Sequence, residues 1–136
     1  MSSLRTSARF ACTIALLAAM GCGSPETIDL TGRWIPESVP SEEWGPNFQP
    51  SKAAIEFNDE GRWKASDGCN QLEGTYTVDG EDFQSPPSGN FAGVGCVGGE
   101  VPYDRLLPKV SSVKMSGEKL EFLDDSGSLL LRLGPG

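Results

Sequence analysis

Four glycine-containing turn signals, Asn58-Asp59-Glu60-Gly61, Asp79-Gly80, Ser116-Gly117 and Asp124-Asp125-Ser126-Gly127, punctuate this chain and mark its strand connections. Between them apolar residues recur at every second position, the period of a half-buried strand. Ala53, Ile55 and Phe57 share one face, and Trp63 and Ala65 occupy the matching face of the returning run over 62–66. Leu72, Gly74, Tyr76 and Val78 repeat the pattern, and Asp79-Gly80 is a tight-turn dipeptide before a return over 81–85. Residues 112–115, 120–123 and 129–133 predict three closing strands, the last two forming the clearest hairpin.

The remaining segments fill in the topology. A first short strand over 32–37 surrounds Trp34, after which Pro36, Pro40, Gly45, Pro46 and Pro50 predict the longest irregular loop of the domain. Residues 86–99 are rich in Gly, Ser and Pro and read as a second irregular stretch. The one helix expected spans 100–110, with Val101, Leu106, Leu107 and Val110 on its apolar side, Pro102 in its first turn and Pro108 ending or kinking it. About eight short strands and one late helix predict an α+β domain, mainly antiparallel β, as a curved sheet or partly closed barrel.

The N-terminus carries an address. Arg5 and Arg9, an apolar run over 10–20 and Gly21 before Cys22 have the order of a secretory signal. The run is about half the roughly 20 residues a spanning helix needs. Ala19-Met20-Gly21-Cys22 resembles a lipobox, in which the chain is cut before a cysteine that receives acyl chains such as palmitate. The expected division is a signal over 1–21, a tether over 22–29 and one folded domain over 30–136. The domain then hangs in an extracytoplasmic space from a lipid on Cys22, in the cell membrane or an outer membrane.

Charge and cysteine usage agree with that compartment. Of 11 Lys and Arg, Arg5 and Arg9 lie in the signal, leaving nine against 19 Asp and Glu, a formal charge of −10 for the mature chain. Nucleic acid is not expected as a partner, because the basic residues are scattered singly. The charge suits solubility, or recognition of a cationic partner. Of four cysteines, Cys12 lies in the signal and Cys22 is the acylation site, leaving Cys69 and Cys96 for one disulfide. Closing that 28-residue loop would contribute about 3.5 kcal/mol in the chain-entropy model.

Several motifs in order then point to a family. Leu30-Thr31-Gly32-Arg33-Trp34, then Asp67-Gly68-Cys69-Asn70 followed by Gly74-Thr75-Tyr76, then Cys96, the late helix and Leu129-Leu130-Leu131 closely resemble the META-domain family, which includes HslJ-like bacterial lipoproteins. The likeness covers residues 30–133; the approach to Cys96 and the loop over 36–50 depart from the family pattern. The resemblance implies a small β-rich envelope or secreted domain with no established enzymatic activity, linked to stress and antibiotic tolerance.

The motif residues read physically as architecture. Gly68 permits a positive φ beside the disulfide, Asn70 suits a side-chain-bonded turn, and Gly74 lets Tyr76 or Trp34 pack close to the sheet. Asp79, Glu81 and Asp82, and Asp124 with Asp125, flank turns without the ordered oxygen spacing of a calcium loop. With no histidine in the chain, Ser-His-Asp and Cys-His arrangements are excluded. No catalytic residue, metal or cofactor is therefore expected, and the protein is expected to be a monomer. Its expected role is a non-enzymatic accessory or protein-binding domain linked to envelope stress, with Trp44 and Phe48 of the long loop as candidate partner contacts unless they fold back to cap the sheet. The alternative is a β domain that binds a small hydrophobic ligand or inhibits a cationic enzyme.

Overall fold

The computed structural model describes residues 26–88 and 93–136. The expected signal segment, Cys22 and part of the approach to Cys96 (Asn90, Phe91 and Ala92) lie outside the described residues. Nine strands form one antiparallel sheet: β1 Gly32–Ser38, β2 Ile55–Phe57, β3 Arg62–Ser66, β4 Gln71–Thr75, β5 Thr77–Asp79, β6 Asp82–Gln84, β7 Ser112–Ser116, β8 Lys119–Leu123 and β9 Leu129–Pro135. Their order is β4-β3-β2-β1-β9-β8-β7-β6-β5. The two edge strands, β4 and β5, are consecutive in the chain and joined by Tyr76 alone, so the sheet curls into a nearly closed barrel.

The turn signals fall where expected, but the run over 72–78 makes two strands instead of one. Tyr76 is the cause: its amide donates to Gly61 O and its hydroxyl to Asn58 O, so the turn between β2 and β3 holds it and redirects the chain. Ser85, directly after β6, seals the seam. Its hydroxyl donates to Thr75 O at 2.7 Å and accepts from the Trp63 indole at 3.2 Å. Side chains thereby link the two edges where no strand ladder does.

Two element expectations are corrected. Pro36 does not end the first strand; β1 continues to Ser38, with a bulge against β9 that accommodates the missing amide. The expected helix over 100–110 shrinks to one α turn, α1 Tyr103–Leu106, and a 3-10 turn Leu107–Lys109. Val101 lies outside the helix, its amide donating to Asp67 O, and Pro108 has no amide to continue the helix. Ala53, expected to open β2, closes a 3-10 turn over Pro50–Ala53.

The interior is aromatic. Phe57 meets Tyr76 edge-on at 5.0 Å, Phe83 meets Phe122 edge-on at 5.3 Å, and Trp63 lies 6.5 Å from Tyr103. Leu72, Val101, Leu106, Leu107, Leu120, Leu131 and Leu133 fill the space between. Each such side chain contributes roughly 1.5–3 kcal/mol by leaving water. Burial also pushes the Tyr103 phenol far up from its ordinary pKa. The Tyr76 phenol is raised too, first by burial and then by the charges of Asp29 and Asp59.

Strand direction divides the barrel into two ends. The N-terminal end holds residues 26–31, the turns over 58–61, 80–81 and 117–118, and the C-terminus. The opposite end holds both long connections, the turn over 67–70, the turn over 124–128 and α1.

Candidate functional site: the disulfide end of the barrel

Asp67-Gly68-Cys69-Asn70 forms a tight turn between β3 and β4. Asp67 is 5% exposed, and its carboxyl group accepts from the amides of Cys69 at 3.1 Å and Asn70 at 2.7 Å and from the Asn70 side chain at 3.1 Å. Asp67 N also donates to Asn70 O, and Gly68 takes φ 124°, a conformation that glycine adopts without a Cβ penalty. The turn therefore carries its own hydrogen bonds and aims Cys69 and Asn70 outward.

Those two side chains catch the irregular segment that follows β6. Cys69 and Cys96 form the expected disulfide, with Cα atoms 5.7 Å apart. Asn70 grips Val94 from both sides, donating to Val94 O at 2.7 Å and accepting from Val94 N at 3.4 Å. Val101 N to Asp67 O, at 2.8 Å, fastens the far side of the segment. Held at these points, the loop presents Val94 and Val97 to solvent, 72% and 103% exposed.

The long loop folds back onto the same region. Trp44 stacks on Phe48 with ring centroids 4.4 Å apart, and its indole donates to Glu100 O at 3.1 Å. Gly45 N donates to Gly98 O. A Cβ on Gly99 would come within 2.8 Å of the Trp44 ring, so glycine at that position is what lets the two loops touch. The candidate contacts Trp44 and Phe48 thus sit half-buried between the disulfide loop and the core.

The model for the META domain matches residues 27–135. The chain belongs to the META-domain family. No curated protein matches it. Among solved structures, a DUF4847 family protein from Bacteroides vulgatus is similar with a TM-score of 0.54 at 13% identity, over 80% of this chain and 95% of that one. That likeness is one of fold.

Within this META domain the motif glycine Gly74 serves a different partner from those expected. A Cβ there would lie 2.6 Å from the Trp63 ring, because Gly74 is directly opposite Trp63 across the β3–β4 pair. Trp34 is two strands away from β3, on β1, where its indole donates to Leu30 O. Tyr76 joins the aromatic core and the seam. Gly32, the opening-motif glycine, has φ 121° at the start of β1. Asp67, Cys69 and Cys96 place ligand atoms within 4.8 Å of one another. Both sulfurs are tied to each other, so neither is available as a thiolate ligand.

Sequence reasoning missed Asp67, Val94, Ser85 and Tyr103. Asp67 two residues before Cys69 is the detectable signal, since an aspartate opening a Gly-containing turn commonly bonds the amides that follow it. Nothing in the sequence marks Val94 as the residue Asn70 would grip.

Proposed function

We propose that this META domain is a lipid-anchored, extracytoplasmic accessory module of the cell envelope that binds another protein and catalyses no reaction. The observation that carries this reading is the internal use of the motif's reactive groups. The Asp67 carboxyl group holds the turn, Asn70 clamps Val94, and both sulfurs close the disulfide. What remains for function is surface. The link to envelope stress implied by the family fits a stapled domain exposed outside the cytoplasm.

The topology supports an anchored arrangement. Ile28 N donates to Gly80 O and Thr27 Oγ1 accepts from Gly80 N, so the chain leaves the barrel at the end opposite the disulfide. A lipid on Cys22 would hold that end towards a membrane and project the pinned loop away from it. An interior ligand is the weaker reading, because the barrel interior is taken up by aromatic rings in mutual contact.

Intact mass of the envelope-isolated protein, with and without reduction and with globomycin to block lipoprotein signal cleavage, tests the reading. The expected species is residues 22–136 plus acyl groups, gaining two hydrogens on reduction. An unacylated mass in untreated cells overturns the anchor. Photo-crosslinking from Val97 then asks whether a protein partner is captured.

A further inference from the structure

We infer that the outer face of β1–β3 is a docking surface for an acidic segment of a partner protein. This rests on the protein-binding reading above and gives it a place on the molecule. Four of the nine basic residues that follow the signal, Arg33, Lys52, Arg62 and Lys64, gather on this one face of a chain whose mature charge is −10. The ion pairs among the described residues are Arg105–Glu100, Lys119–Glu37 and Arg132–Glu121, and none involves those four.

The face is also shaped. One groove of about 300 Å³ has Arg33, Lys52 and Lys64 in its wall with Ser66 and Gln71. A second, of about 320 Å³, shares Arg33, Glu56 and Lys64 and adds Arg62. The shared residues make the two grooves one trough. Its centre is a cross-strand row, because Arg33 pairs with Glu56, Glu56 with Lys64, and Lys64 with Glu73.

That row selects the occupant. Strands about 4.8 Å apart put Arg33 and Lys64 about 10 Å from each other with Glu56 between them. The complement is a chain with acidic side chains at about that interval and a neutral or cationic group between. Glu56 and Glu73 would repel a uniformly anionic bilayer or nucleic acid. Sugar recognition rests on stacking surfaces, yet of the aromatic rings of these strands Phe57 and Trp63 are buried in the core and Trp34 packs half-buried against it. β1, β2 and β3 are paired on both sides, so side chains and not strand addition must do the binding.

The test is titration of the ¹⁵N-labelled mature protein, at low salt, with a peptide of Glu-Ser-Ser repeats, whose acidic side chains recur about every 10 Å in an extended chain with neutral groups between. Amide shifts at Arg33, Glu56, Arg62 and Lys64, lost at high salt, are expected. Arg62→Gln/Lys64→Gln, which changes two exposed side chains and keeps the fold, should weaken binding at least about tenfold. No shift, shifts elsewhere, or tighter binding to heparin fragments or anionic vesicles than to the peptide overturns the proposal. Self-association lost in the double variant also overturns it and reassigns the face to a second copy. In cells, a photo-crosslinker at Gln71 should capture a protein. Capture from Val97 but not from Gln71 leaves the protein-binding reading standing and overturns this face; capture from neither removes the reading itself.

Discussion

At the N-terminal end of the barrel the connections between strands are tight turns whose hydrogen bonds are local or reach one neighbouring strand, as in Asn58 N to Arg62 O and Tyr76 N to Gly61 O; the long-range bonds there, Ile28 N to Gly80 O and Gly136 N to Arg33 O, hold the chain's incoming and outgoing segments and not a connection. The disulfide end is closed by bonds between residues far apart in sequence. Asn70 reaches Val94, Asp67 reaches Val101, Trp44 reaches Glu100, and Cys69 is covalently tied to Cys96. Local closure forms as soon as its strands pair. Long connections carry a larger ordering cost and need fastenings that act across the fold. The Asp67-Gly68-Cys69-Asn70 part of the family motif sits at the second end for that reason: Cys69 and Asn70 are fastenings, while the motif residues Gly32 and Tyr76 lie at the first end.

Removing the disulfide is the strongest way to break the contrast. The Cys69→Ser/Cys96→Ser double variant should lose about 3.5 kcal/mol in chemical unfolding, on the chain-entropy model. Amide exchange in the native variant should rise most at Asn70 and Val101, with Tyr76 and Phe83 following only the global loss. Equal local opening at both ends would show that the barrel does not divide energetically where it divides structurally. Gly74→Ala acts between the ends. Its methyl would collide with the buried Trp63 ring at 2.6 Å, costing about 1–3 kcal/mol. Because Trp63 also bonds Ser85 at the seam, both ends should lose protection together.

The contrast also explains what could be read in the sequence. The N-terminal turns, the β2–β3, β5–β6 and β7–β8 hairpins and the β8–β9 pair were legible, since turn chemistry and period-two patterning are local signals. The disulfide was legible because the expected compartment, with Cys12 and Cys22 assigned to the expected signal and lipid site, left one pairing. At the disulfide end the turns over 67–70 and 124–128 were legible as well, and the long-range contacts were not. The helix was overestimated because Val101 is committed to Asp67, a bond between residues 34 positions apart. Gly74 was assigned to Tyr76 or Trp34 because register, not spacing, sets it opposite Trp63. The division of 72–78 into two strands depends on Tyr76 meeting Asn58 and Gly61, a tertiary contact with no local trace.

Asn70 allows a finer cut at the same end with the disulfide intact. Asn70→Ala removes both bonds to Val94 and one to the buried Asp67 carboxyl group, for an expected loss of about 1–2 kcal/mol. Asn70→Asp keeps an acceptor for Val94 N but loses the donor and places a second carboxyl group beside Asp67, so it should lose at least as much. A thermal melt of both variants checks the order. Asn70→Asp as stable as the wild type would mean that the disulfide alone positions the segment.

The smallest effect tests whether local turns behave alike at both ends. Asp29, at the N-terminal end, accepts from Thr31 Oγ1 and N, while Asp124, at the disulfide end, accepts from Ser126 Oγ and N and Ser128 N. The Thr31 hydroxyl holds the Asp29 pKa below the usual carboxylate value, and the Ser126 hydroxyl does the same for Asp124, with backbone amides adding to both. A carboxylate whose pKa is lowered on folding stabilises the fold above its unfolded pKa, near pH 4. That contribution disappears as pH falls through the folded value. Asp29 is exposed and Asp124 partly exposed, so solvent screens the effect at both. In melts across pH, Asp29→Asn and Asp124→Asn should each lower Tm slightly at neutral pH. The gap to the wild type should close in acid and be wider for Asp124, which accepts more bonds. A gap at Asp124 that persists in acid would mean the turn depends on shape more than charge. Similar behaviour of the two aspartates would confine the difference between the ends to their long-range fastenings.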